Sequence, residues 1–174
     1  MTETTTQGNS SFEDKTINEY RIGDDVILIG DAGAERAKRF IGHPFKIKES
    51  MTIIYDKGEV VFNINMQQYH FKAPAVIVVM TGQTCELVSY SNDLRSRAIA
   101  MSRFFTDNMF ENLASKSQGI IASLLGNPIL GDENDIYVFN QYYELLRNIA
   151  KSPLSEFKIE AARHLTLAMF YGYS

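Results

Sequence analysis

Between Asp25 and Met101 the apolar residues fall in short runs, broken at roughly 8 to 12-residue intervals by turn-forming residues, which is the punctuation of β-structure. Val26-Ile27-Leu28-Ile29 ends at Gly30-Asp31, and Met51-Thr52-Ile53-Ile54-Tyr55 ends at Asp56-Lys57-Gly58. The second of these is a hairpin signal, because glycine supplies the positive φ such a loop wants. Val60, Phe62, Ile64 and Met66 then alternate with Val61, Asn63 and Asn65, the period of a two-faced strand. A Gln67-Gln68 turn leads into Tyr69 to Phe71, and Ala73-Pro74 breaks the ladder, since proline brings no N–H. Val76-Ile77-Val78-Val79 reads as a buried strand closed by Thr81-Gly82; Glu86 to Tyr90 and Ala98 to Met101 complete the set. About eight short strands suit a sandwich or a closed barrel.

From Phe104 onward the period changes to that of helices. Phe104 to Leu113 and Gln118 to Leu125 are short helices, the latter stopped by Gly126 and Pro128. Asp132 or Asn134 can cap a long helix running to about Ala150. Ser152-Pro153 reads as a new start, an N-cap followed by proline in the first turn. The last helix then carries Leu154, Phe157, Ala161, Leu165 and Ala168 on one stripe, and the two should form an antiparallel hairpin. A β-rich half followed by an α-rich half predicts an α+β fold in segregated layers, not alternating βαβ units.

The long helix has two apolar stripes. Ile136, Phe139, Tyr143, Leu146 and Ala150 form one; Val138, Tyr142, Leu145 and Ile149 form the second, about 100° away. Together they cover more of the circumference than the single face of a surface helix. The second stripe is covered either by a second subunit, making those four residues a dimer interface, or by the last helix of the same chain.

The chain has 174 residues, 45% of them hydrophobic, enough for one domain with a real core. Seventeen Lys and Arg against 21 Asp and Glu give a net charge of −4, the wrong sign for a surface that wraps nucleic acid. One cysteine, Cys85, excludes an internal disulfide framework and a multi-cysteine zinc site. No apolar run reaches the ~18 residues of a membrane span, and the start, MTETTTQGNSS, lacks the parts of a secretory signal. A cytoplasmic protein is expected. Residues 1–20 are polar and read as a flexible arm, 21–103 as the β domain and 104–174 as the helical region.

No catalytic pattern stands out. Gly30-Asp31-Ala32-Gly33 lacks the three-glycine spacing that lets a backbone approach pyrophosphate, and reads as a turn. His43, His70 and His164 lack the His-x-His and nearby Glu with which barrel strands converge on a metal, so no metal or other cofactor is expected. Cys85 reads as a small core residue, and Ser89 and Ser91 lack a nucleophile elbow. Arg95 and Arg97 faintly resemble the phosphate arginine of cyclic-nucleotide-binding barrels, but a solvated strand edge accounts for them better. Asn63 and Asn65 share a strand face, with Tyr69 shortly after. Polar groups among apolar walls orient a small ligand. With Tyr55 and Phe62 these make the candidate ligand-binding set, and the competing reading puts the asparagines on the solvent face.

Lys57 to Asn65, then Tyr69 to Val79, then Gly82-Gln83 and Glu86-Leu87-Val88-Ser89-Tyr90-Ser91 together resemble the N-terminal regulatory domain of AraC-type bacterial transcriptional regulators. Met101-Ser102-Arg103-Phe104-Phe105 and the two terminal helices fit that arrangement, so the resemblance covers roughly Phe40 to Ser174. It implies a cupin-like β-barrel (a double-stranded β-helix) that senses a small-molecule effector, followed by about four helices that mediate homodimerisation, without catalysis. It also implies that DNA is gripped by a helix-turn-helix pair after Ser174, and that the polar arm is a candidate lid. The alternatives are a small cupin-type metal-dependent enzyme and a cyclic-nucleotide sensor.

Overall fold

The computed structural model describes residues 19–112, 119, 122–123, 126–153 and 156–172. The strands are β1 Glu19–Ile22, β2 Val26–Gly33, β3 Phe45–Lys46, β4 Ser50–Lys57, β5 Glu59–Ile64, β6 Gln67–Lys72, β7 Ala75–Val79, β8 Thr84–Tyr90, β9 Arg95–Met101 and β10 Ile129–Leu130. A short helix, α1 Ala34–Ala37, follows β2; α2 Arg103–Asn112, α3 Glu133–Lys151 and α4 Lys158–Gly172 follow the strands. The fold is α+β, with the helical part C-terminal to two antiparallel sheets.

Pairing defines the architecture. β2 pairs with β9, β3 with β8, β4 with β7 and β5 with β6, all antiparallel. Such nesting is one long hairpin wound on itself, the jelly roll by which β-proteins limit open edges. The sheets run β1-β2-β9-β4-β7-β10 and β3-β8-β5-β6. Alternation sorts the side chains. Tyr55, Val60, Phe62, Ile77, Val79, Cys85 and Leu87 face one core between the sheets. Ile54, Val76, Val78, Ile99 and Met101 face a second core on the outer side of the larger sheet, under the helices. Every residue of β7 is buried, since it has one core on each face.

The turns differ in part from the sequence reading. The β5–β6 turn is Asn65-Met66, both at positive φ (49° and 68°), so Gln67 and Gln68 already belong to β6. That is the backbone of a two-residue hairpin turn, which Asn tolerates well. Gly30 to Gly33 stays in β2, with a register shift against β9 between Ile29 and Ala32, rather than forming a turn. Gly58 (φ +99°) carries the chain from β4 in one sheet to β5 in the other, so the expected hairpin does not form; a Cβ there would lie 2.6 Å from Ser91 Oγ and 2.9 Å from Leu94 Cα. This contact seats the β8–β9 loop and with it Leu94.

In the helical half, the Asp132 carboxylate accepts from the Asn134 N–H at 2.8 Å and caps α3. Ser152 ends α3, its N–H donating to the Asn148 and Ile149 carbonyls, and α4 begins only at Lys158. The Ser152-Pro153 start signal is therefore used as a stop. The expected helix at 118–125 lies mostly outside the described residues. Tyr142 bonds Thr166, and Lys158 Nζ donates to the Ala150 carbonyl, so α3 and α4 run antiparallel. Ala162, Thr166 and Met169 form the buried face of α4, whereas Phe157 is exposed, so the stripe read from the sequence is out of phase. No described helix is long and apolar enough to cross a membrane.

Candidate functional site

Between the two sheets lies a cavity of about 140 Å3. β4 sends Met51, Ile53 and Tyr55 into it, β5 sends Phe62, β8 sends Leu87, and β9 sends Ser96 and Ala98, each by the two-residue alternation of its strand. Ala37 and Arg36 of α1, with Phe40 and Phe45, complete one side. Arg36 is the one charged side chain among the described residues that line it. Tyr55 is 6% exposed, and its ring packs edge-on against Phe71. Burial pushes the Tyr55 phenol well above its ordinary range, with the Cys85 thiol adding to the effect.

Of the residues picked from the sequence, Tyr55 and Phe62 line this cavity. Tyr69 pairs with Phe62 across β5–β6 and packs on the inner core beside the cavity wall. Asn63 points to the other face of its sheet, donating to Glu86 Oε2 at 2.9 Å and accepting from Gln68 Nε2 at 3.3 Å. Asn65 sits in the hairpin turn, where its side-chain oxygen accepts from the Thr84 N–H at 3.0 Å. The two asparagines do not share a strand face, because the strand stops at Ile64. Sequence reasoning missed Arg36 and Ser96. Ser96 was legible as an inward position of β9 once its register with β4 is known, but nothing in the sequence gives that register.

The same strands carry a second cluster on their outer face. A register shift in the β4–β9 ladder lies between Tyr55 and Lys57, at Asp56. Arg97 of β9 donates through Nε to Asp56 Oδ2 at 2.8 Å and through Nη2 to Asp56 Oδ1. Nη2 also donates to Asn140 Oδ1 of α3 at 2.6 Å, and the guanidinium lies 5.0 Å over the Tyr143 ring. Hydrogen bonding to Asp56 raises the Arg97 pKa further, against the opposing effect of burial. Arg97 is thus a partly buried joint between barrel and helix, not a solvated strand edge, and it points away from the cavity.

The metal arrangement of cupin enzymes does not fit these walls. Among the described residues that line the cavity there is no imidazole and no carboxylate, and His43, His70 and His164 are all exposed on separate segments. Among the described residues no three His, Cys, Asp or Glu side chains are grouped to hold an ion. Cys85 is fully buried, its thiol pushed up to about 12 by desolvation, which keeps it protonated and unreactive.

Of the four residues read as a dimer stripe, Tyr142 is closed off within the chain. Its hydroxyl lies 2.6 Å from Thr166 Oγ1 of α4. Val138 and Ile149 are partly covered by the helical core, and Leu145 is 46% exposed.

No protein-family model and no curated protein matches the sequence. Solved structures do. The AraC-like transcriptional activator CuxR superposes with a TM-score of 0.50 at 10% identity, over 89% of this chain and 55% of that one. A ToxT variant from Vibrio cholerae gives 0.45 at 9% identity, over 90% and 54%. An RmlC-like cupin from Methanocaldococcus jannaschii, described as a double-stranded β-helix, gives 0.38 at 14%, over 62% and 98%. The chain spans about half the length of CuxR and of ToxT. With CuxR it shares a fold, a cupin-like barrel continued by helices, as the AraC-type resemblance in the sequence led us to expect.

Proposed function

We propose that this chain is the effector-sensing and dimerisation domain of an AraC-type transcription regulator, and that it performs no catalysis. One observation carries the reading: β4 and β9 line the barrel cavity on one face and hold α3 through Arg97 and Asp56 on the other. A small molecule that fits the cavity better in one setting of these strands shifts the setting of α3 by its difference in affinity, and by no more. α3 in turn presents Leu145, flanked by Val138 and Ile149, to a second copy of the chain, so cavity occupancy biases how two copies are held. DNA contact belongs to a part of the regulator outside this chain, in keeping with the negative charge here, and the protein works in the cytoplasm.

Sedimentation of the wild-type chain and of Leu145→Glu at micromolar concentration tests the reading. Leu145 is exposed, so the substitution leaves the core intact. A wild-type dimer and a folded monomeric variant are expected. A wild-type chain that stays monomeric, or a variant that dimerises as before, would overturn the dimerisation role.

A further inference from the structure

Protein cores hold few voids larger than a water molecule, yet this barrel keeps one of about 140 Å3. Two small side chains leave the room. Ala98, which pairs with Ile29 of β2 and Ile53 of β4, stands on one wall, and Ala37 of α1 on another. Apolar cavities of ~150 Å3 stay dry and accept one benzene-sized molecule, whereas sites for larger ligands begin at ~300 Å3. Arg36, Tyr55 and Ser96 apart, every described residue on the wall is apolar. Arg36 and Ser96 already interact within the chain, so neither is free for a ligand. Burial holds the Tyr55 phenol un-ionised. A charged group entering here would lose its water without gaining a partner, and so would the hydroxyls of a sugar. A smaller cleft of about 30 Å3 shares the Ile29 and Met51 walls and continues beside Ile27 and Ala100. Glu19 and Glu49 stand at that cleft, a setting adverse to an anion.

We infer that the cavity binds a neutral, apolar molecule of one ring, with room for a short alkyl substituent past Met51. This rests on the sensor reading, whose ligand class it names. Burial of apolar surface drives the binding, so a charge on the ligand weakens it whatever the sign.

Calorimetry on the full chain with toluene, benzoate, benzylamine and a free pentose at neutral pH tests this. One toluene per chain is expected, with benzoate and protonated benzylamine each at least about tenfold weaker and no heat from the pentose. Ala98→Met sends a longer side chain into the void and should weaken toluene at least about tenfold. Ala37→Leu narrows the same void from the half-buried α1, should give a similar loss, and serves if Ala98→Met does not fold. Benzoate or benzylamine binding as tightly as toluene, the pentose binding in its place, toluene binding undiminished in a folded variant, or no binding by any probe would overturn the ligand class. Failure of the sensor reading has a different signature: toluene binds as described while sedimentation and α3 hydrogen exchange of the loaded chain stay unchanged.

Discussion

Tyr55 and Ser96 face each other across the β4–β9 ladder, and the residue after each, Asp56 and Arg97, turns to the opposite face and pairs beneath α3. Cavity wall and helix joint are therefore one peptide unit apart on both strands. A stretch this short between two packed faces has little room to absorb a displacement on one face without passing it to the other.

Removing the joint should loosen the helix before the barrel. Arg97→Met gives up the forked pair with Asp56 and leaves Asn140 without its donor, for an expected loss of about 1–2 kcal/mol in denaturant unfolding. Arg97→Lys keeps the charge but not the fork, and should fall between the two. Hydrogen exchange should speed up in α3 while the β4–β9 amides keep their protection. Equal loss of protection in both would mean that Arg97 supports the fold as a whole and not the helix joint in particular.

The α3–α4 contact gives an asymmetric prediction. Thr166 Oγ1 donates its proton to the Ala162 carbonyl at 2.7 Å, so the Tyr142 hydroxyl, 2.6 Å away, must be the donor in that pair. Tyr142→Phe removes a donor and leaves Thr166 still bonded, at a cost of about 1 kcal/mol. Thr166→Val strands the buried Tyr142 hydroxyl and should cost more, about 1–3 kcal/mol. Thermal unfolding of the two variants decides it, and the reverse order would contradict this assignment of the proton.

How much of this was legible in the sequence follows from which residues obey a single rule. Alternation and turn residues located most strands, and the first apolar stripe of α3 matched its packed face: Phe139, Tyr143 and Leu146 are buried. The α4 stripe failed because Thr166, a polar residue, sits at the centre of the buried face with both its hydrogen bonds met inside. The asparagine pair failed because Asn65 works as a turn residue, and a strand pattern running on to Met66 hid it. The cavity was legible only in part. Tyr55 and Phe62 stand on inward positions of good strands, whereas Arg36 and Ser96 reach it through the nested pairing of distant strands and the placement of α1, which no local pattern encodes.

Alkali should destabilise the protein in a way that one residue controls. Burial raises the Cys85 thiol from 9.0 to about 12, so the folded state keeps a proton that the unfolded chain has already lost. The unfolded state then binds fewer protons, and stability falls as pH rises from about 9 toward about 12. The Tyr55 and Tyr142 hydroxyls, both raised by burial, add to the loss at the upper end. Cys85→Ala lowers stability throughout by leaving a small void, but its stability should fall less steeply over the first part of that range. Parallel slopes in the two proteins would contradict the burial of an un-ionised thiol.

The central claim is that what fills the barrel is felt by the helix outside it. Hydrogen exchange of the α3 amides around Phe139 to Leu146, measured in the wild-type chain and in Ala98→Met, which sends a longer side chain into the cavity, tests this most directly. The account predicts a severalfold change in α3 exchange when Ala98→Met is made alone and little further change when it is added to Arg97→Met. Unaltered α3 exchange in a folded Ala98→Met chain would contradict it.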